Sequence, residues 1–535
     1  MQSKSFRTAL PLIVAFCVYG ALAIPATAQT FSPAFGKSVA AAVQEDETLA
    51  AFYAARDYAP LWTGADGGAR LAALMGALDT AHAHGLPTAR YNAAALRKAA
   101  ASAHSEGDLG RLDAALSTAF LAFGRDLSSG ALVPSKVDSG IVREITRPNP
   151  AVMLAAMAIS SDPAAYFAAL APKSPTYTKL MAEKAALEAR IARGAWGGPI
   201  PARELAQGDS GDAVVALRNR LIELGYLPQT SLSSYDGTIM RAVQKFQREQ
   251  GLNADGAAGE TTIALLNAAP SARLASVIVA LERLRWMGNA PLGSRHIWVN
   301  QPDFTAKIID NGAVTFRTRV VIGKNVPDQR SPEFSDEMEY MAINPSWGVP
   351  RSIIVKEYLP LLQANPNAVA HLQVIDSKGR VVPREAVNFA GYSAKSFPFY
   401  LRQPPSDGNA LGIVKFMFPN ENNIYLHDTP SKNLFDNEVR AYSHGCIRVG
   451  DPLDLAYALL ARQTDDPKGA FAAARDTGNE TNIQLEQKIP VHLVYFTAFP
   501  DAGGEVRYRA DVYGRDAALF DALIKAGLEL PAKSG

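Results

Sequence analysis

The first third of the chain has apolar residues at helical spacing. Residues from about 37 to 195 are rich in Ala and Leu, as in LDAALSTAFLAFGRDL and KLMAEKAALEARIAR. Apolar residues that recur every three or four positions are typical of amphipathic helices. Short polar loops, such as HGLPTARY and TRPNP, separate these segments. The pattern predicts a helical scaffold domain over residues 37–195 that packs against the rest of the chain.

A second helical unit follows a linker rich in Gly and Pro, GGPIPAREL. One helical stripe is formed by Val214, Leu217, Leu221 and Leu224. We predict its N-cap at Asp212 and the end of a second helix at Gly251, because glycine commonly ends helices. The segment DGAAGETT then begins a third helix. The pattern predicts a small three-helix module over residues 205–268.

From His296 the apolar period becomes that of strands. The segments HIWVN, FTAKIID and TFRTRVVIG alternate, and NIYLH and IPVHLVYFTAF do so later. Between these two groups lie a helical segment, RSIIVKEYLPLL, and an irregular stretch that ends near Gln403. We predict a mostly β domain over residues 291–500, an insertion at about 351–403 and a C-terminal extension over 501–535. The insertion is either a functional lid or a passive surface elaboration.

Length and composition set the broad class. A chain of 535 residues is too long for one core, so several domains are expected. The composition, with 48% apolar and 20% charged residues, is that of an ordinary folded protein. A formal net charge of +1 argues against nucleic acid as a partner, since nucleic-acid binding favours a basic face. The fold class predicted is a multidomain α+β protein.

The N-terminus has the layout of a secretory signal peptide. Lys4 and Arg7 precede the apolar run ALPLIVAFCVYGALAI, and the small residues ATA stand just before Gln29. We therefore predict that residues 1–28 are cleaved and that the protein is exported. The alternative is a retained membrane anchor, which the short apolar run disfavours.

One cysteine stands out in the predicted mature chain. Cys17 lies in the leader, so Cys446 has no partner for an intramolecular disulfide. It is either a buried inert thiol or a nucleophile. In the segment CIRV, strand alternation puts Cys446 and Arg448 on one face and the apolar Ile447 and Val449 on the other. A helix in GDPLDLAYALL, with its N-cap at Asp451, would support the strand from behind.

A nucleophilic thiol requires a nearby base. His427 ends a predicted strand in NIYLHDTP, a position from which a side chain can reach a neighbouring strand. His444 is only two residues from Cys446 and can line the same site, but the backbone at Gly445 makes it less suitable as the base. We therefore favour His427. The carboxylate of Asp428 is adjacent in the strand and should point away from the imidazole, which disfavours a Cys-His-Asp triad.

These residues resemble the catalytic motif of L,D-transpeptidases with a YkuD-type domain, in which a His precedes Ser/Thr-His-Gly-Cys. Here His427 is followed by fifteen residues and then by SHGC, Ser443 to Cys446. NPSWGVPRSI, GNALGIVKFMFPN, FYAARDYAPLW and YFTAF with DVYGRD resemble the larger YcbB-like members of Gram-negative bacteria. Residues 205–268 resemble the type 1 peptidoglycan-binding domain through AVQKFQ, GLNADG and Gly259-x-x-Thr262. Arg448 departs from the Asn of many members.

The resemblance implies a β-sandwich catalytic domain with a capping insertion, and a role for each site residue. Cys446 would be the acylated nucleophile and His427 its proton acceptor, oriented by the carbonyl of Asp428. The oxyanion and the substrate groove would be shaped by Ser443, His444 and Gly445, with backbone N–H groups near Gly445 and Cys446 as oxyanion donors. Further candidates for substrate contacts are Tyr442, Trp347 and Arg448.

The resemblance also implies a reaction and its partners. A thioester at Cys446 would transfer one peptidoglycan peptide stem to the amine of a second stem, forming a 3→3 cross-link in the periplasm. An outer-membrane lipoprotein is an alternative acceptor, and no metal or organic cofactor is implied. Two other functions stay open: an L,D-carboxypeptidase-type hydrolase and a non-catalytic wall-binding protein. A papain-like protease and a zinc peptidase are disfavoured by the order of Cys and His and by the lack of ligand clusters.

Overall fold

The structure, a computed structural model, describes residues 32–194 and 196–530. The predicted signal peptide, residues 1–28, therefore lies outside the described residues. Within these ranges, no single helix has the length and apolar composition needed to cross a bilayer. The pair Glu260–Asn267 and Pro270–Met287, bent by 80°, passes the same test of length and composition when its two helices are taken together.

The N-terminal region is helical, as its apolar spacing predicted. Its helices are α1 (Pro33–Val43), α2 (Glu47–Ala54), α3 (Gly68–Thr80), α4 (Ala93–Ser102), α5 (Glu106–Ser129), α6 (Pro150–Ile159), α7 (Pro163–Leu170) and α8 (Pro175–Arg193). They pack largely around α5, whose start is fixed by a capping box between Ser105 and Asp108. The buried carboxylate of Asp113 in α5 accepts hydrogen bonds from the backbone N–H groups of residues 61–63 and so holds that loop.

The three-helix module has its own apolar core. Its helices are α9 (Asp212–Glu223), α10 (Gly237–Gln250) and α11 (Glu260–Asn267). The predicted N-cap at Asp212 is wrong by one position: Asp212 is the first helical residue, and the N-cap position belongs to Gly211. Gly211 has φ of 102°, a backbone conformation that favours glycine. Gly251 ends α10 with φ of 76°, as predicted.

A long buried helix, α12 (Pro270–Met287), follows the module and joins it to the β domain. Its apolar residues share a core with those of α8 and of the C-terminal helix. Three charged residues near its C-terminal end are also buried, Glu282, Arg283 and Arg285. They form ion pairs, which is the condition under which charges are tolerated inside a protein.

The β domain contains thirteen strands and four short helices within the described residues. The strands are β1 (Arg295–Asn300), β2 (Thr305–Asp310), β3 (Ala313–Gly323), β4 (Phe334–Ile343), β5 (Trp347–Gly348), β6 (Gln373–Ile375), β7 (Val381–Val382), β8 (Tyr400–Gln403), β9 (Val414–Met417), β10 (Leu426–His427), β11 (Ala441–Ser443), β12 (Ile447–Val449) and β13 (Thr481–Val494). The helices are α13 (Arg351–Ile353), α14 (Leu359–Ala364), α15 (Pro452–Leu460) and α16 (Pro467–Asp476).

Nine of these strands form one sheet, in the order β11-β3-β12-β10-β9-β4-β13-β1-β2. The sheet closes on itself because β3 also pairs with β2. The long strand β3 makes this possible, since its first part pairs with β2 and its end with β12 and β11. The expected sandwich is therefore joined at its edges into a closed sheet, whose apolar side chains form the core.

The insertion is an ordered substructure with a core of its own. Strands β5 to β8 form a separate four-stranded sheet in the order β5-β8-β6-β7. A five-residue π-helix, Ile354–Tyr358, lies between α13 and α14. Leu362, Leu372 and Phe389 are among its buried core residues, so the segment that the sequence left irregular packs as a small domain on the β domain.

The C-terminal extension returns to the helical core. Its elements are β14 (Ala498–Pro500), β15 (Val506–Tyr508) and α17 (Arg515–Lys525). In α17, Arg515 pairs with Glu333, the residue before β4, and Asp516 pairs with Arg283 of α12. The last turn of the described chain also reaches the scaffold, where the Gly527 carbonyl accepts a hydrogen bond from Ala89 N–H. The extension therefore joins the β domain to the helices.

We expect Glu282→Ala to destabilise the whole protein. Glu282 is fully buried, accepts hydrogen bonds from the Leu132 N–H and the Trp286 indole, and pairs with Arg285 at 2.7 Å. Its loss leaves Arg285 buried without a carboxylate, which costs about 3–5 kcal/mol in the free energy of unfolding. Urea unfolding followed by tryptophan fluorescence measures this. Glu339→Ala, which breaks an exposed pair with Lys488, is the control and should leave the transition unchanged.

Candidate active site

The register between two short strands places the predicted nucleophile and base on one face of the sheet. Strand β10 runs parallel to β12, with Leu426 opposite Ile447 and His427 opposite Arg448. Ile447 and Val449 are buried, so Cys446 and Arg448 occupy the opposite face, as the alternation predicted. Arg448 lies opposite His427, and Cys446 is two residues before Arg448, so Cys446 and His427 are diagonal neighbours. Such diagonal neighbours have Cβ atoms about 7 Å apart, which an imidazole and a thiol can span.

Cys446 is half-buried and unpaired. Its thiol donates a hydrogen bond to the Asn423 carbonyl at 3.6 Å, and it interacts with the backbone N–H and the phenol of Tyr425. Burial raises the pKa of the Cys446 thiol, while Tyr425, Lys415 and Arg448 act in the opposite direction. The thiol is therefore protonated at rest, and attack on a carbonyl requires a proton acceptor.

His427 is suited to accept that proton. Its Nδ1 lies 2.5 Å from the carbonyl of Asp428 and must donate, because a carbonyl only accepts; the lone pair is then on Nε2. The pKa of His427 is lowered to about 3, first by burial and then by the charges of Arg448 and Lys415, against the raising effect of the Asp428 carbonyl. The imidazole is therefore neutral at neutral pH and can act as a base.

The Asp428 carboxylate does not face the imidazole. It accepts hydrogen bonds from the backbone N–H groups of Ile413 and Thr429 and pairs with Lys432 at 2.6 Å. Gly412 leaves room for it: a Cβ at that position, where φ is 61°, would lie 2.2 Å from an Asp428 carboxylate oxygen. The side chain of Asp428 thus fixes the loop, and its backbone carbonyl orients His427.

The segment before Cys446 is held mainly by its backbone. Gly445 has φ of 112°, and its carbonyl accepts a hydrogen bond from Ser331 Oγ at 2.6 Å. The N–H groups of Gly445 and Cys446 donate no hydrogen bond to any residue that the structure describes. Ser443 is buried, and its carbonyl accepts from Lys324 N–H at 2.7 Å. These two N–H groups belong to the residue that carries the sulfur and to the residue before it, so they are candidate donors to an oxyanion.

The remaining predicted residues are distributed around the site. The imidazole of His444 pairs with Glu357 of the insertion at 2.7 Å. Trp347 begins the insertion and lowers the pKa of Tyr425, the residue that acts on the thiol, against the larger raising effect of burial. Tyr442 is exposed, and its hydroxyl accepts a hydrogen bond from Asn437 at 3.2 Å. No described contact joins Tyr442 to Cys446.

The residues 32–194 and 196–530 contain no group of three or more His, Cys, Asp or Glu side chains arranged to hold a metal ion. The helix behind the site begins at Pro452, as predicted, but Asp451 makes no capping hydrogen bond. Its carboxylate instead accepts from the Thr318 hydroxyl at 2.8 Å, because β3 passes next to the start of α15.

Three family profiles match separate parts of the chain. Residues 294–468 match the profile described as "L,D-transpeptidase catalytic domain", with the name YkuD, and residues 210–266 match one described as "Putative peptidoglycan binding domain". Residues 47–183 match a profile described as "Scaffold domain". The chain contains an L,D-transpeptidase catalytic domain. It also contains a peptidoglycan-binding domain. The catalytic domain includes the candidate site, and the peptidoglycan-binding domain is the three-helix module.

A curated protein with a similar sequence carries the name of the same family. The "Putative L,D-transpeptidase" of Haemophilus influenzae is 34% identical over 227 residues, which is 42% of this chain and 45% of that protein. The alignment thus spans less than half of the relative's length.

Solved L,D-transpeptidase structures from Xylanimonas cellulosilytica and Stackebrandtia nassauensis are each 15% identical and cover 56% of this chain. The matches include 100% and 97% of the lengths of those two structures. Their TM-scores are 0.17 and 0.22, which are too low to support any conclusion about this chain.

Sequence reasoning missed three contributors to the candidate site. Tyr425 and Lys415 contact or act on the thiol, and Glu357 of the insertion pairs with His444. The sequence could have revealed Lys415, because it stands between the apolar Val414 and Phe416, and strand alternation then puts it on the opposite, outer face of β9. No local pattern could reveal Glu357, because its contact joins residues 87 positions apart.

We expect alkylation of Cys446 to require alkaline pH. Iodoacetamide reacts with the thiolate, and burial raises the pKa of Cys446, so its alkylation rate should still be rising at pH values where the rate of N-acetylcysteine has levelled off. Lys415→Met removes a charge that lowers this pKa and should move the profile to higher pH. Peptide mass mapping resolves Cys446 from Cys17. A rate that is already constant at neutral pH would contradict the protonated resting thiol.

We expect Ser331→Ala to weaken the fold around the nucleophile. Ser331 is fully buried, donates to the Gly445 carbonyl and accepts from Gly323 N–H at 2.9 Å. Leaving these two backbone groups without a partner should lower the free energy of unfolding by about 1–3 kcal/mol, measured by urea unfolding. Ser396→Ala, an exposed serine of the insertion, is the matched control. Equal effects of the two substitutions would refute the role assigned to Ser331.

Proposed function

We propose that this protein is a peptidoglycan L,D-transpeptidase that forms 3→3 cross-links through a thioester on Cys446. One observation carries the proposal: a neutral imidazole with its lone pair on Nε2 lies on the same sheet face as a half-buried thiol, one diagonal position away. The catalytic-domain match over residues 294–468 includes both groups and supports the assignment to peptide stems.

The first step would acylate the enzyme. The Cys446 sulfur attacks the carbonyl of the third residue of a tetrapeptide stem while its proton passes to His427 Nε2. The resulting oxyanion would be stabilised by the free N–H groups of Gly445 and Cys446. The imidazolium then gives its proton to the departing amine, D-Ala leaves, and a thioester remains.

The second step would resolve the thioester. The side-chain amine of a second stem attacks the thioester carbonyl, His427 takes the amine proton, and the sulfur leaves as a thiolate that is reprotonated. Water competes with the amine in this step. The insertion contacts His444 through Glu357, and under this proposal it would act as a lid that restricts water and so favours transfer over hydrolysis.

The other parts of the chain fit a function at the cell wall. The peptidoglycan-binding domain would hold the enzyme on its polymeric substrate, and export by the signal peptide predicted at residues 1–28 would deliver it to the periplasm. An outer-membrane lipoprotein with a free amine is the alternative acceptor in this proposal, because a thioester is attacked by amines in general.

The test is incubation of residues 29–535 with purified tetrapeptide stems, followed by mass spectrometry. We expect cross-linked dimers, no turnover with Cys446→Ala, and a rate lower by about 10²- to 10⁴-fold with His427→Gln. His371→Gln, an exposed histidine of the insertion, is the matched control and should retain full activity. Tripeptide monomer as the sole product would indicate an L,D-carboxypeptidase instead. The absence of both turnover and a thioester adduct of the stem on Cys446 would indicate a non-catalytic wall-binding protein.

A further inference from the structure

Two positive side chains flank the base on the face that carries the nucleophile. On one side, β9 pairs with β10 and puts Lys415 opposite His427; on the other side, β12 puts Arg448 opposite His427. Directly opposed residues of neighbouring strands share one face of a sheet. Both charges act on the thiol and on the imidazole. The reacting atoms therefore lie between an ammonium and a guanidinium group.

Neither cation has an anionic partner among the residues that the structure describes. The ammonium of Lys415 lies 4.0 Å from the centre of the Tyr425 ring. The side chain of Arg448 forms no hydrogen bond or ion pair with any residue that the structure describes, and its Nε is buried without an acceptor. Glu480 acts on Lys415 only from a distance, and its carboxylate accepts a hydrogen bond from Ser346 N–H.

This arrangement differs from that of the buried cations elsewhere in the chain. Arg283, Arg285 and Arg515 are more deeply buried, and each pairs with a carboxylate. Burial lowers the pKa of both Lys415 and Arg448, so holding them charged at this place has a cost. Their charge also makes His427 a weaker base. A bound anion would offset that cost and restore the basicity of His427.

We propose that Lys415 and Arg448 form a subsite that binds a carboxylate of the donor stem next to the scissile carbonyl. This rests on the proposed function, under which the donor offers two carboxylates near the reacting bond. One is the C-terminal carboxylate of the leaving D-Ala, and the other is a side-chain carboxylate on the diamino acid at position three. A guanidinium and an ammonium suit either, since both form charge-assisted hydrogen bonds to carboxylates.

The test measures binding to the full chain carrying Cys446→Ala, so that effects on the reactivity of the thiol do not enter. Three ligands are compared by calorimetry: a tetrapeptide stem with both carboxylates free, the same stem as its C-terminal amide, and the stem amidated on the side chain of residue three. We expect Lys415→Met and Arg448→Met each to weaken binding of the unmodified stem by about 10- to 100-fold. One of the two amidated stems should bind weakly to the Cys446→Ala protein, and its affinity should fall little further when Lys415 or Arg448 is also replaced. That ligand identifies which carboxylate occupies the subsite.

Controls separate a direct contact from a general effect of charge or folding. Lys488→Met and Arg317→Met remove cations whose side chains are 53% and 59% exposed, and they should leave the affinity unchanged. Lys415→Arg and Arg448→Lys keep the charge and should retain most of the affinity. Thermal melting confirms that each variant is folded.

Several outcomes would overturn the subsite. Equal loss of affinity for all three stems would mean that the cations act only through the fold, and no loss for any stem would mean that they do not touch the ligand. The proposed function fails separately: a protein that binds the stem with carboxylate selectivity, yet with Cys446 intact makes neither dimer nor tripeptide, would keep the subsite and lose the enzyme. Cross-linking without selectivity would keep the enzyme and refute the subsite.

Discussion

The parallel register of β10 and β12 is the constraint on which the candidate site depends. It sets His427 opposite Arg448 and leaves Cys446 on the same face, while Leu426, Ile447 and Val449 anchor the two strands in the core. Because side chains alternate between the faces of a sheet, a slip of one residue would turn either the sulfur or the imidazole into the core. Burying three apolar side chains in this register is therefore what keeps the two reacting groups together.

A chain of buried hydrogen bonds extends this constraint beyond the sheet. The Tyr513 hydroxyl accepts from Ser331 N–H and donates to the Gly323 carbonyl, and Ser331 in turn holds the carbonyl of Gly445. Tyr513 belongs to the C-terminal extension, two residues before Arg515, which pairs with Glu333 and Asp138. The loop that carries the nucleophile is thus supported by the C-terminal region and, through Asp138, by the scaffold region.

The electrostatics of the site favour neutral reactants at rest. Burial disfavours both a thiolate at Cys446 and an imidazolium at His427, so proton transfer would accompany attack rather than precede it. The two flanking cations stabilise negative charge where it develops on the sulfur. The same charges oppose the protonation of His427, and this conflict is resolved if the substrate itself brings a negative group.

The sequence by itself determined the local features of this protein. Helical spacing predicted the scaffold helices and the three-helix module, and alternation predicted the strands and the outward face of Cys446 and Arg448, because these patterns depend on neighbours a few residues apart. The motif spacing selected His427 and Cys446 as candidates. Only the tertiary structure decided which distant residues surround them: Ser331 and Tyr513 behind Gly445, Glu357 against His444, and Lys415 beside the base. It also decided that the sheet closes through β2 and β3 and that the insertion has its own core. Such contacts join segments tens to hundreds of residues apart, and they arise from the packing of complete elements, which no local period records.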